Sequence, residues 1–159
     1  MALVTLLTDF GMTDSYVAEV KGVILSLAPA TTLVDVGHLV APGDIRSGAY
    51  LLGRTWHRFP ADTIHLAVVD PDVGTGRAAV ALRAQGHTFV GPDNGLFSAV
   101  LHDAEVEIVT LPVPDGASPT FHGRDLFAPA AAALANGTPL LALGVPLVGK
   151  RPGKLLLRG

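Results

Sequence analysis

A chain of 159 residues, 16% charged and 49% apolar, has room for one domain around a single core and must leave part of its surface apolar. A formal charge of −3 and a pI near 6.0, with Lys and Arg scattered, provide no basic face for a phosphate backbone, so no nucleic-acid partner is expected. The lack of cysteine removes disulfides, thiolate nucleophiles and Cys-type zinc sites, and fits a reducing, cytoplasmic setting.

In chain order, "MALVTLLTDFG" has no basic leader, and its apolar run is interrupted by Thr5 and ended by Asp9. It reads as a strand over 3–7 rather than a signal peptide. No apolar run approaches the roughly 20 residues of a membrane span, so no membrane partner is expected. "SYVAEVKGVILSLAP" sets Val17, Val20, Ile24 and Leu27 at spacings of three and four, with Pro29 behind them, which predicts an amphipathic helix. "TLVDV" at 32–36 and "IHLAVV" at 64–69 resemble the first run, and all three suggest strands buried on both faces. Between them "DIRSGAYLLGRTWHRFP" predicts a helix with Ile45, Tyr50, Leu52 and Trp56 on its apolar side, Asp44 as N-cap and Pro60 beyond its end.

After residue 69 the period changes to two. "AVALRA" and "HTFVGP" flank Gln85 and Gly86 and predict a hairpin. "NGLFSAVLHD" then reads as a short helix, "VEIVTLPV" as a strand and "RDLFAPAAAALANG" as a buried helix. Asn136, Gly137 and Thr138 match a glycosylation acceptor, but Asn-Gly at this point reads more simply as a helix stop. The alternation predicts an α/β fold: three αβα layers around a mainly parallel, Rossmann-like sheet with one local antiparallel hairpin. The α/β domain is expected over 1–147, with the Gly/Pro-punctuated "GKRPGKLLLRG" making 148–159 a linker-like tail.

Ligands of open α/β sheets bind beyond the carboxyl ends of the strands. At those exits stand Asp9 and Asp14, then His38, then Asp70, Asp72 and Arg77, then Asp93 and Asn94, and finally His122, Arg124 and Asp125. Each also has a plain structural reading. Asp9 and Asp14 could cap the first helix, His38 could be a satisfied structural histidine, and Arg124 with Asp125 could form a local ion pair. His65 lies within a strand, while His57, His87 and His102 sit in polar surroundings where solvated side chains are the default. "GTGRAA" matches a dinucleotide pattern only formally, because strand-like residues follow it instead of a helix. "GKRPGK" is not a phosphate loop, and no G-x-S-x-G occurs.

Five blocks in order, "LLTDFGMTDSYVAEVKGVI", "VDVGHLVAPGDIRSGAYLL", "FPADTIHLAVVDPDVGTGR", "FVGPDNGLF" and "TFHGRDLFAPAAAALANG", closely resemble the S-adenosylmethionine hydroxide adenosyltransferases, relatives of the fluorinases and chlorinases. The resemblance implies hydrolysis of S-adenosyl-L-methionine to adenosine and L-methionine by water or hydroxide attacking the ribose C5′. It implies Asp70, Arg77 and His122 as the catalytic set. Halide-using relatives carry an aromatic residue where Asp70 stands and a tyrosine where His122 stands. Asp9 matches the position that grips the ribose hydroxyls, with Asp14 and Asn94 as further substrate contacts. The resemblance implies a homo-oligomer, a trimer, and a second β-rich domain that this sequence does not contain. No metal or cofactor is implied, S-adenosyl-L-methionine being the substrate. Two other readings compete: a non-catalytic module binding S-adenosylmethionine or adenosine, and a metal-dependent hydrolase using Asp9, Asp70, Asp93 and His122. In the hydrolytic reading "TFHGRDLFAP" delivers His122 to a water-activating cluster, with Phe121, Leu126 and the alanine run anchoring it in the core.

Overall fold

The computed structural model describes residues 1–101 and 105–147; His102 and the tail 148–159 lie outside the described residues. Seven strands form one sheet in the order β2-β1-β3-β5-β4-β6-β7. Strands β1 (Leu3–Thr8), β2 (Thr32–Gly37), β3 (Ile64–Val68) and β5 (His87–Pro92) pair in parallel. Strands β4 (Ala79–Ala84), β6 (Val106–Thr110) and β7 (Val145–Pro146) are joined to the sheet by antiparallel pairings. Hence β1, β2, β3, β5 and β6 run one way and β4 and β7 the other, giving the mixed sheet of an α/β fold.

Helices cover both faces. α1 (Tyr16–Leu27) and α4 (Ala128–Ala135) pack on one side against Val4, Leu6, Leu66 and Val90. α2 (Ile45–Thr55) and the short α3 (Ser98–Leu101) pack on the other against Leu7, Val69, Leu82 and Phe89. The period-two segments meet as foreseen: Gln85 and Gly86 both have positive φ, 53° and 80°, as the two central positions of a tight primed hairpin turn require. The helix stop at Asn136-Gly137 is a Schellman closure. Gly137 N–H donates to Leu134 O and Thr138 N–H to Ala133 O, both at 3.0 Å, with Gly137 at φ 91°.

Three packing expectations fail. β2 is not buried on both faces: it is the edge strand, with every residue at least partly exposed. Leu27 is 52% exposed and Tyr50 is 64% exposed, so α1 turns only Val17, Val20 and Ile24 fully inward, and α2 turns Gly48, Ala49 and Leu52. Periodicity marks which positions share a helix face, but the neighbouring layer decides how far along the helix that face is covered.

Candidate active site

The position of the site follows from strand order. From β1 the chain crosses by α1 to β2 on one side, then by α2 to β3 on the other side of β1. The two crossings lie on opposite faces, as right-handed connections running in opposite directions must. The connections therefore diverge beyond the carboxyl ends of β1 and β3 and leave a crevice there. The register pairs Thr8 with Val68, so Asp9 and Asp70 emerge side by side at its floor. Asp9 is fixed from two directions: its N–H donates to Val68 O at 3.3 Å, and Oδ2 accepts from Gly43 N–H at 2.7 Å. Burial raises its pKa above the ordinary carboxylate value, and the nearby Asp70 charge adds to the rise.

Asp70, Arg77 and His122 come together although seven and 45 residues separate them. Arg77 stands in the middle. Its Nε donates to Asp70 Oδ1 and Oδ2 at 3.1 and 3.0 Å, and its Nη2 donates to Asp70 Oδ2. The same Nη2 lies 2.9 Å from His122 Nδ1. A guanidinium has donors only, so Nδ1 accepts and the neutral imidazole carries its proton on Nε2. The Arg77 and Asp70 side chains are 7% and 4% exposed, a charged pair held out of water by this fork geometry. Burial lowers the pKa of His122 below 6.5 and the Arg77 charge lowers it further, with Asp70 and Asp125 opposing. Phe127 closes the group from below, with the guanidinium carbon 5.4 Å from its ring centre.

Local sequence explains how His122 and Arg77 arrive. His122 precedes a π-helical turn, Gly123–Phe127, closed by Ala128 N–H to Gly123 O. Pro129, without an N–H, cannot supply the next rung of an α-helical ladder, so the wider turn falls where the sequence suggested one uninterrupted helix. Gly123 admits Phe10: a Cβ there would meet the Phe10 ring at 2.8 Å. Arg77 lies on the loop after β3, and Gly74 in that loop has φ 76° with its α-carbon against Pro119, where a Cβ would sit 2.4 Å from the carbonyl oxygen. Glycine thus lets the loop of Arg77 press onto the loop of His122.

Above the floor is a cleft of about 220 Å³ lined by Asp9, Asp14, Asp70, Phe10, Tyr16 and Phe121 among others. Its walls are aromatic: Tyr16 lies 5.6 Å from Phe10 and 4.7 Å from Phe121, centre to centre. Arg77 and His122 instead line a neighbouring depression of about 300 Å³ with Thr75, Thr110 and Pro119. The three-residue group is the partition between the two spaces, with Asp70 showing to the first and its partners to the second.

Of the other expected contacts, Asp14 lines the cleft, and its Oδ1 accepts from Tyr16 N–H at 2.9 Å, but the N-cap position of α1 is Ser15, and Asp9 bonds Gly43 rather than α1, so neither acid is the helix cap. Asn94 lines neither space. Its Nδ2 donates to Val69 O at 2.8 Å and its Oδ1 accepts from Leu96 N–H at 3.2 Å, which ties the loop after β5 to the end of β3. Arg124 and Asp125 form the anticipated ion pair, Nε to Oδ1 at 2.7 Å, and Asp125 Oδ2 also accepts from Ser118 N–H. His87 departs from its reading: it is buried, not solvated, and lies beside His65 and Trp56. Phe121 faces the cleft while Leu126 and the alanines enter the core. Sequence reasoning does not single out the aromatic walls; the available signal is that Phe10 follows Asp9 directly and Tyr16 lies two residues after Asp14. Among the described residues, no group of three or more His, Asp or Glu side chains is arranged to hold a metal ion.

Residues 4–144 match the family described as SAM hydroxide adenosyltransferase N-terminal domain. The chain belongs to the SAM hydroxide adenosyltransferase family. Among its relatives, an (R)-S-adenosyl-L-methionine hydrolase of Salinispora arenicola is 49% identical over 94% of this chain and 58% of its own length. A fluorinase of an Actinoplanes species is 31% identical over 89% of this chain and 57% of its own length. A solved structure of an uncharacterized conserved protein from Thermotoga maritima superimposes with a TM-score of 0.92 at 36% identity, covering 98% of this chain and 61% of that one. The chain therefore spans little more than half the length of the curated family members it matches. No helix among the described residues is long and apolar enough to cross a membrane.

Proposed function

We propose that this chain carries the water-activating half of a site that converts S-adenosyl-L-methionine and water into adenosine and L-methionine. The observation behind the reading is the buried Asp70–Arg77–His122 group at the crevice between β1 and β3. A sulfonium leaves as a neutral thioether and needs no acid, so the demand falls on the nucleophile. Bulk water has a pKa of about 15.7, and a site that uses it must hold hydroxide-like charge with fixed donors and a fixed cation. Arg77 supplies the cation because it does not deprotonate. His122, accepting at Nδ1 from the side of the second depression, holds the Arg77 guanidinium in place against Asp70. Asp70, whose oxygens have capacity beyond the Arg77 bonds and which lines the cleft, accepts the proton that the water gives up. The water oxygen bonds to C5′ as the C5′–S bond breaks, its electron pair staying on sulfur.

Asp9 and Asp14 bind the polar groups of the substrate in this reading, a ribose diol at Asp9, while Phe10, Tyr16 and Phe121 take its flat, apolar parts. Asn94 acts through the backbone of Val69, next to Asp70. The cleft volume is below the roughly 300–1,000 Å³ of complete ligand pockets, which fits a site finished by a second surface, and a homotrimer would supply one. No metal or other cofactor enters the scheme. The greater identity to the hydrolase than to the fluorinase supports water as the nucleophile, and the family resemblance, which implies other residues at the places of Asp70 and His122 in halide users, points the same way. Incubation with S-adenosyl-L-methionine, with and without chloride and chelator, followed by chromatography, tests the reading. Adenosine unaffected by either addition is expected. Binding without any product would identify a binding module, and loss of product on chelation a metal-dependent hydrolase.

A further inference from the structure

Behind the cleft runs a chain of hydrogen bonds that the reaction scheme does not use. Lys21 Nζ donates to Asp35 Oδ2 and His38 Nε2 meets Asp35 Oδ1, each at 2.7 Å, and His38 Nδ1 meets Thr8 Oγ1 at 2.7 Å. Thr8 Oγ1 in turn accepts from Phe10 N–H at 3.2 Å, and the His38 carbonyl accepts from Gly11 N–H at 2.8 Å. A consistent direction follows: Thr8 O–H donates to Nδ1, and Nε2–H donates to the Asp35 carboxylate. Within residues 9–11 only the Asp9 N–H has its partner on β3; the amides of Phe10 and Gly11 both depend on His38, one through Thr8 and one directly. Those residues form one edge of the cleft, where Asp9 and Phe10 face inward.

We propose that His38 is a positioning residue that fixes the Asp9–Phe10 edge of the substrate cleft through Thr8. The inference rests on the proposed function only for the identity of the substrate. The Gly11 bond goes to the His38 backbone and survives any change of side chain, so what the imidazole controls is the orientation of Thr8 Oγ1 toward the Phe10 amide; losing it loosens the cleft edge, and the effect appears in substrate binding rather than in the chemical step.

The two ring nitrogens can be separated by substitution. His38→Asn leaves an amide near the place of Nδ1 and keeps the Thr8 bond, whereas His38→Gln reaches toward Asp35 and loses it. The test compares kcat, KM and calorimetric Kd for S-adenosyl-L-methionine, with hydrogen exchange at the Phe10 amide, in the wild-type chain, His38→Gln, His38→Asn and Thr8→Val. His38→Gln and Thr8→Val are expected to raise KM and Kd about tenfold with kcat within about threefold, and to speed Phe10 exchange, each reflecting about one hydrogen bond. His38→Asn restores all three to within about threefold of wild type. The double variant His38→Gln/Thr8→Val is no worse than either single one. Unchanged KM, Kd and exchange in His38→Gln and Thr8→Val, or His38→Asn as defective as His38→Gln, overturns the proposal. Thr8→Val, nearly isosteric, carries the test if His38→Gln does not fold. A wild-type chain that yields no adenosine defeats the hydrolytic reading instead, and Phe10 exchange still decides the role of His38.

Discussion

At opposite ends of the same sheet sit two buried histidine sites. Beyond the carboxyl end of β3, His122 accepts from Arg77, which is itself forked onto Asp70. Near the start of the strands, His65 on β3 meets Thr5 Oγ1 at 2.7 Å and His87 on β5 at 3.0 Å, stacked against Phe89. Both histidines have depressed pKa values, but the causes separate them. His65 is lowered to about 3 by burial and then by its histidine neighbour. At His122 burial and Arg77 push down while Asp70 and Asp125 push up. Burial of a titratable group therefore marks packing as readily as chemistry. What singles out His122 is fixed charge of both signs beside it, in the group that separates the cleft from its neighbouring depression.

The contrast is broken most severely by Arg77→Ala. That change leaves Asp70 buried and unpaired and frees His122 Nδ1, so adenosine formation should fall on the order of 10³-fold and stability by about 3–5 kcal/mol. Rate assays with thermal unfolding of the same sample measure both, and a rate within tenfold of wild type would remove Arg77 from the chemistry. At the other end the expected effect is on stability alone. The folded-state pKa of His65 lies below its unfolded value, so the unfolded chain takes up the proton first as pH falls. Its contribution is complete above about pH 6.5 and lost progressively toward pH 3, on the order of 5 kcal/mol in all. His65→Gln should flatten urea-unfolding free energies across that window while leaving the neutral-pH rate within about twofold.

Gly74→Ala sharpens the comparison by disturbing only the meeting of the Arg77 and His122 loops. A Cβ at φ 76° and 2.4 Å from Pro119 O is both strained and obstructed. A loss of about 1–3 kcal/mol and a rate reduced about tenfold are expected, with acid stability in the His65 window unaltered. The pH profile separates the sites again: because the neutral form of His122 accepts from Arg77 and burial with the Arg77 charge lowers its pKa, kcat/KM should still hold at the ordinary histidine value and fall only at more acid pH. A profile already falling from pH 8 would contradict this. The smallest effect belongs to Tyr16→Leu, which removes one aromatic wall and should raise KM about threefold with kcat unchanged.

The sequence by itself determined the elements and their chemistry. Apolar runs gave strands, the Gln85-Gly86 pair its turn and Asn136-Gly137 its Schellman stop, because these depend on φ/ψ preference and hydrophobic period, which are local properties. It also placed every candidate at a strand exit, and the family blocks selected Asp70, Arg77, His122 and Asp9 among them. Tertiary structure decided what these residues do to one another. Nothing in the spacing reveals that Arg77 lies between Asp70 and His122, that Asn94 serves the backbone of Val69, or that Phe10, Tyr16 and Phe121 wall the cleft. Nor does it reveal that β2 is an edge, that Leu27 and Tyr50 face outward, or that His87 is interior. Contacts across 45 residues and exposure at the end of a helix depend on which layers meet, and a one-dimensional pattern carries the periodicity of a face without the identity of what covers it.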